Sequence, residues 1–227
     1  NHFTFLYKIE DAETGEDLYP KLRTHNKMFP FLYPKLVNYM FREYGLLAAS
    51  TDSHIGEYVP FAKEIAGNHR IFHRYVQAQW HIRNALTSVY GKGFIPLPVH
   101  KLPQSGELAF PIIDGLWNKK RTYLSAINVP NNGYVPNLPE GAMVEVHGYT
   151  GDNDLEPLAV PAIDDRLAEL MLPQIQIQDL VVQAALEQDP GKAFEAIRMD
   201  PLSPPDEDSC RKMFDQMMKL QEEFLPF

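Results

Sequence analysis

The stretch Asp52-Ser53-His54-Ile55-Gly56-Glu57-Tyr58 crowds four ionisable or phenolic side chains around one glycine. A segment that packs a core would be apolar; this one is composed to present chemistry. The residues alone leave two readings open. In the first the stretch is a helix start, with Asp52 or Ser53 as N-cap, Glu57 in the first turns and Tyr58 half buried. In the second it carries a functional tyrosine, whose phenol would need a nearby cation to ionise near neutrality.

Working outward, Leu46 to Thr51 is a short connection of mostly small and apolar residues. Before it, Phe31, Leu32, Leu36, Tyr39 and Met40 recur at helical spacing, which predicts a helix over about 29–44 that stops at Gly45. Earlier still, Phe3 to Ile9 is rich in β-formers, Asp11 to Asp17 reads as a turn, and Leu18 to Pro20 as a returning strand. Downstream, Ile71, Tyr75, Ala78, Ile82, Leu86 and Val89 make the apolar stripe of a helix over about 68–90. A proline-rich loop, 94–103, leads to a helix opened by Ser105-Gly106-Glu107, with Ser105 as N-cap. Strands are expected at 123–129 and 142–147, joined by a structured turn over 130–139 and followed by a turn-rich loop over 148–156. A long helix over 170–186 has Ile175, Leu180, Val181 and Ala184 inward and Pro173 in or before its first turn. A short helix follows Asp189-Pro190, and a last one covers about 206–224 with acidic residues at its start. Long helices with small antiparallel sheets define a single α+β domain.

Bulk properties narrow the function. The chain has 227 residues, 44% of them apolar, and a net charge of −9. That balance argues against nucleic acid, which needs a basic surface. No apolar run is long enough to span a bilayer. One cysteine, Cys210, excludes an intramolecular disulfide and points to a reducing, cytoplasmic setting. The sequence opens at Asn1 directly on a strand-like stretch, and so reads as part of something longer.

Other constellations carry less. His69 and His73 have zinc-compatible spacing, but Arg70 and Arg74 flank them and no Glu occupies the HExxH position. Asp152 and Asp154 lack the glycine and distal Glu of a calcium loop. Cys210 has no nearby His and reads as structural. Phosphate-cradling loops, the dinucleotide fingerprint and the nucleophile elbow are absent from the sequence.

Taken in order, several short segments resemble the C-terminal region of glycoside hydrolase family 4. Asn1-His2-Phe3-Thr4 resembles the end of that family's Gly-x-Asn-His motif, and Gly15 to Pro20 the turn after it. Asp52 to Tyr58 resembles the catalytic-tyrosine segment, in the form found among α-galactosidases, α-glucosidases and uronidases. Ser105-Gly106-Glu107, Asn128 to Asn131 through Asn137-Leu138-Pro139, Val144-Glu145-Val146 and Asp200-Pro201-Leu202 continue the pattern.

The resemblance implies a fold like the C-terminal domain of lactate and malate dehydrogenases, with an NAD-binding Rossmann portion elsewhere in the same protein. It implies hydrolysis of α-galactosides, α-glucosides or α-uronides with NAD and a divalent metal, usually Mn²⁺. NAD⁺ takes hydride from C3, a base removes the acidified C2 proton, and the glycosidic oxygen leaves from C1; water then adds and the hydride returns. By position, His2 would be a metal ligand, Asn1 a contact to substrate or metal-bound oxygens, and Tyr58 the base. His54 and Glu57 would lie near the sugar, and Ser105 and Glu107 would face substrate or nicotinamide. The second metal ligand, the NAD loop and the leaving-group acid would lie upstream, so this chain alone would be inactive. A homo-oligomer is also implied. The alternative is a non-catalytic domain of the same descent, used for sugar binding or oligomerisation. A plain 2-hydroxy-acid dehydrogenase is disfavoured, because His2 is followed by Phe3 and Thr4 rather than by Gly-Asp.

Overall fold

The computed structural model describes residues 3–67, 70–92 and 106–225, with backbone only for residues 70–77 and Tyr90. Strand β1 (Phe5–Leu6) pairs antiparallel with β2 (Leu47–Ala48), Phe5 opposite Ala48. Between them lie α1 (Tyr19–Met28), a 3₁₀ turn (Pro30–Leu32) and α2 (Lys35–Tyr44). Helix α2 buries Leu36, Val37, Met40 and Phe41, one face at helical spacing, and ends as expected at Gly45, whose φ of 76° suits glycine. The Leu18–Pro20 strand does not form: Tyr19 and Pro20 start α1 instead. Proline is pre-set for a first helical turn, which the strand reading overlooked. The Tyr19 hydroxyl donates to the Leu6 carbonyl and accepts from the Leu47 amide (3.2 Å), so α1 is tied across both short strands.

Helix α3 (Asp52–Ile55) begins after Thr51, in extended conformation. Asp52 is not the cap of its own helix. Its Oδ1 accepts from the amides of Leu36 and Val37, 2.9 Å each, at the start of α2. Pro34, before α2, has no capping side chain, so the carboxylate supplies the missing acceptor from another helix and complements the dipole. Asp52→Ala is expected to destabilise the fold by about 1–2 kcal/mol, with Asp52→Asn recovering part of it; an unchanged urea midpoint for the alanine variant would refute the assignment.

Helices α4 (Ala62–Ala66) and α5 (Arg70–Gly91) follow. On α5, Ile82 and Leu86 of the expected inward stripe are exposed. Helix α6 (Ala109–Trp117) starts after Leu108; Ser105, expected as its cap, and the 94–103 loop lie outside the described residues. Strands β3 (Tyr123–Pro130), β4 (Met143–Thr150) and β5 (Leu155–Pro157) form an antiparallel sheet in that order. Strand β4 runs on into the stretch read as a loop, and β5 overlaps its end, because three residues are too few to show a period of two. A bulge between Leu124 and Ile127 lets Leu124, Ile127 and Val129 all face inward with Val144 and Val146. Gly148 is required where it stands: a Cβ would fall 2.5 Å from the Glu156 carbonyl oxygen.

Helix α7 (Asp165–Glu187) is capped by Asp164, whose side chain accepts from the Arg166 amide. Pro173 sits inside it rather than near its start, so the helix extends further upstream than expected. Val181, expected inward, is exposed, whereas Ala184 is buried against the next element. Helices α8 (Pro190–Met199) and α9 (Glu207–Gln221) complete the chain, capped by Asp189 and Asp206.

Buried side chains form separate clusters. One, helical, gathers Leu36, Met40, Ile55, Val59 and Leu167. A second lies under the β3–β4–β5 sheet. A small third joins Phe194, Cys210 and Phe214. Ile163 packs against both of the first two, marking the seam between them.

Candidate active site

The Asp52–Tyr58 stretch is a single helical turn that runs into further turns: the amide of Gly56 donates to Asp52 O, and that of Tyr58 to Ile55 O (3.0 Å). Ile55 is fully buried and anchors the turn in the helical core. Gly56 leaves room that a Cβ would take, 2.8 Å from the Asp52 carbonyl oxygen. Anchoring on one side thus holds Tyr58 half-buried on the other.

The Tyr58 ring stacks on Phe3, centroids 5.3 Å apart and planes 14° from parallel. Phe3 is the first described residue after Asn1 and His2, which lie outside the described residues. The structure therefore brings Phe3 against the tyrosine segment, from which sequence order separates it. Phe3, Phe5 and Tyr7 alternate onto one side of the extended N-terminal segment and, with Tyr58, line a cleft of about 190 Å³. The cleft follows the seam between the helical and sheet cores. Its other walls come from the sheet, including Asn128 and Glu145, which pair directly across β3 and β4, and from α7.

His54 is half-buried, with Nδ1 3.2 Å from Ser50 Oγ, and Glu57 is exposed. Neither lines the cleft, and nor does Glu107, which is exposed just before α6. Ser105 lies outside the described residues, as does His69, and no side chain is described for His73. Among the described residues no three of His, Cys, Asp and Glu converge as a metal set.

Burial raises the Tyr58 phenol above its ordinary value, and the carboxylates of Glu57 and Asp200 raise it further. Asp200, at the end of α8, is the residue that the motif reading missed as a neighbour. It stood within the Asp200-Pro201-Leu202 segment, but only the fold brings it to Tyr58. Its Oδ1 accepts from the Leu202 amide (2.8 Å), which orients the carboxylate. Two negative charges around a phenol make a site whose field favours a cation.

Tyr7, Tyr19 and Tyr44 are likewise raised, chiefly by burial. For all four tyrosines the folded state holds the proton more tightly than the unfolded chain. Their contribution to stability is complete below pH about 10 and is lost as pH rises through the raised values. The urea midpoint is expected to fall as pH rises above about 10, and a flat profile there would contradict the burial argument.

The described residues thus form an α+β domain with Tyr7 and Tyr58 at a cleft between its helical and sheet cores. The chain belongs to glycoside hydrolase family 4: the family model described as "Family 4 glycosyl hydrolase C-terminal domain" matches residues 1–203. The chain is similar to the alpha-galacturonidase of Thermoanaerobacterium saccharolyticum, with 26% identity over 191 residues, 82% of this chain and 41% of that protein. It is also similar to the alpha-galacturonidase of Bacillus subtilis, with 28% identity over 187 residues, 79% of this chain and 40% of the relative. It therefore spans well under half the length of these relatives. It shares its fold with the 6-phospho-beta glucosidase of Thermotoga maritima solved with manganese, NAD+ and glucose-6-phosphate, with a TM-score of 0.74 and 18% identity over 99% of this chain and 52% of that one. The expected fold class, helix-rich α+β with small antiparallel sheets, is the one observed. No helix among the described residues is long and apolar enough to cross a membrane.

Proposed function

We propose that this chain is the substrate- and metal-side domain, residues 1–227, of an NAD- and Mn²⁺-dependent glycosidase acting on an α-galacturonide, α-galactoside or α-glucoside. The family match over residues 1–203 carries the reading. The Thermotoga maritima structure, solved with NAD+ and manganese, supports the cofactors, and the two alpha-galacturonidases make an α-galacturonide the first substrate to test. NAD and the divalent ion supply hydride transfer and charge stabilisation when bound.

Within this chain Tyr58 is the base that accepts the C2 proton of the sugar. Its phenol is raised by burial and by two carboxylates, so it would work as a base only with a cation beside it. The negative field from Glu57 and Asp200 fits such an ion in sign. The described residues do not by themselves hold one. We assign the protein ligand in this chain to His2, with Asn1 at the sugar oxygens, and the remaining ligand, the NAD loop and the leaving-group acid to a further portion of the protein. His54, Glu57, Ser105 and Glu107 are assigned to substrate contact. On this reading the isolated chain has no turnover, and the working enzyme is a homo-oligomer.

The test is an assay of the full-length protein carrying this domain on 4-nitrophenyl α-galacturonide, α-galactoside and α-glucoside, with and without NAD⁺ and Mn²⁺. Hydrolysis of at least one is expected, lost on omission of either cofactor. Hydrolysis that proceeds without NAD⁺ would overturn the reading.

A further inference from the structure

The sequence turns basic where α6 hands over to β3. Trp117-Asn118-Lys119-Lys120-Arg121-Thr122-Tyr123 sets three consecutive cations between two aromatic residues, in a chain whose net charge is −9. Adjacent like charges repel one another, a cost that a ligand of opposite sign relieves. The main chain here is firmly held. The Lys120 amide donates to the Gly115 carbonyl (2.8 Å). The hydroxyl of Thr150, which is fully buried, donates to the Lys120 carbonyl (2.6 Å) and accepts from the Thr122 amide (2.9 Å). Lys119 takes a φ of 52°, a left-handed backbone that lysine seldom adopts. The turn therefore presents its cations from a fixed frame.

Lys119 and Lys120 are exposed and make no ion pair among the described residues. Arg121 is fixed from two sides: its Nε donates to Glu156 Oε2 (3.1 Å), and its guanidinium lies 3.7 Å over the Tyr149 ring. Next to it Tyr123, 54% exposed, stands edge-on to Tyr149 (5.5 Å) and to His147 (5.9 Å). His147 in turn meets Tyr7 (5.5 Å), and Tyr7 lines the cleft that Tyr58 shares. An aromatic strip thus runs along the sheet from the cleft to the basic turn. Cross-strand aromatic pairs also stabilise a sheet. Sheet stability, however, asks for neither two unpaired lysines nor Trp117, 85% exposed, beside them. An aromatic face can cover the C–H side of a pyranose while its hydroxyls stay in water, and an ammonium can pair with a uronate carboxylate. Nucleic acid would meet an acidic molecule here. A membrane surface is engaged by lysines on the polar face of an amphipathic helix, whereas these stand on a turn.

We propose that the strip from Tyr7 through Tyr123 to Lys119 and Lys120 is a binding surface for an acidic carbohydrate chain, a polyuronide, outside the Tyr58 cleft. The class of sugar rests on the proposed α-galacturonide reading, and binding to the strip is measured apart from hydrolysis.

In full-length protein with ¹³C-labelled tyrosine rings, tetragalacturonate is expected to shift the Tyr123 resonance, which Tyr123→Phe assigns by its loss. The double variant Lys119→Glu, Lys120→Glu should raise the Kd read at Tyr123 about tenfold, a factor set by about 1.4 kcal/mol of lost attraction. Lys119→Gln with Lys120→Gln should raise it less, and both double variants should hydrolyse 4-nitrophenyl α-galacturonide at the parental kcat/KM. A neutral tetrasaccharide of galactose should bind the strip more weakly than the acidic one. No shift at Tyr123, a Kd unaltered in both double variants, or equal binding of the neutral chain overturns the proposal. So does a shift with phosphatidylglycerol vesicles and none with tetragalacturonate, which would make the strip a membrane contact. Lysine-dependent binding in a protein that hydrolyses no α-galacturonide retains the strip and overturns the proposed substrate; hydrolysis with no binding at Tyr123 overturns the strip alone.

Discussion

On the proposed role, Tyr58→Phe is expected to lower turnover of the full-length protein by about 10²–10⁴-fold, the usual share of a positioned acid or base. The substitution removes one oxygen and keeps the ring. The stack on Phe3, at 5.3 Å and 14°, survives, and so does the turn anchored by Ile55. Thermal stability should therefore stay within about 0.5 kcal/mol of the parent, as expected of a substitution that makes no cavity. The burial that raises the Tyr58 phenol resists ionisation and not the ring itself, so a phenylalanine there has no desolvation to suffer. Deuterium at C2 of the substrate provides the second measurement: the parent should show a slower rate, and the residual activity of the variant should be measured for the same effect. Full activity in the variant, with an undiminished C2 isotope effect, would remove Tyr58 from the reaction.

The second large effect is on stability. Asn131 is buried, with 2% of its surface exposed. Its Nδ2 donates to the carbonyls of Val135 (3.0 Å), Leu138 (2.9 Å) and Pro139 (3.1 Å), and its Oδ1 accepts from the Val135 amide. The side chain thus replaces the partners that the 131–139 turn cannot find in a ladder. Asn131→Ala takes the side-chain partners from the Val135 amide and the Leu138 carbonyl, while the carbonyls of Val135 and Pro139 keep the amides of Leu138 and Ala142, and is expected to cost about 3 kcal/mol, since each buried orphan costs about 1–3 kcal/mol. Asn131→Asp is the sharper test. A carboxylate keeps the bond from Val135 and loses every donation, placing a negative charge against three carbonyl oxygens. It should destabilise at least as much as alanine. If either variant unfolds at the parental urea midpoint, the turn does not depend on this amide.

Much of this architecture was legible where local rules suffice. Helix α2 declared itself by Leu36, Met40 and Gly45, and the β3–β4 strands by alternation. Helix α1 did not, because Tyr19–Met28 is mostly polar and buries only Tyr19 and Asn26. Asn26 is held by a side-chain bond to Asn38 (2.8 Å) that no periodicity announces. Strand β5 was too short to show alternation. Asp52 looked like a local cap because caps are usually local, and its two acceptor bonds to α2 are a tertiary matter. At the site, family resemblance nominated Tyr58, whereas spacing alone favoured a plain helix start. The stacking of Phe3 on Tyr58 and the approach of Asp200 depend on how three distant segments meet, and no motif encodes that.

The small third core also bears on motion. Phe194 and Phe214 meet edge to face at 5.4 Å, Cys210 is buried with them, and Arg211 lies 3.4 Å above the Phe194 ring. Few side chains hold α9 to α8, and α9 lies beyond the residues that match the family. A patch this small opens more cheaply than the rest of the molecule, so α9 is expected to come away as a unit. Its amides should then exchange with solvent deuterium faster than those of α2, and equal protection of the two helices would count against this. Asp200, at the end of α8, lies outside that unit, so the carboxylate near Tyr58 stays in place when α9 opens.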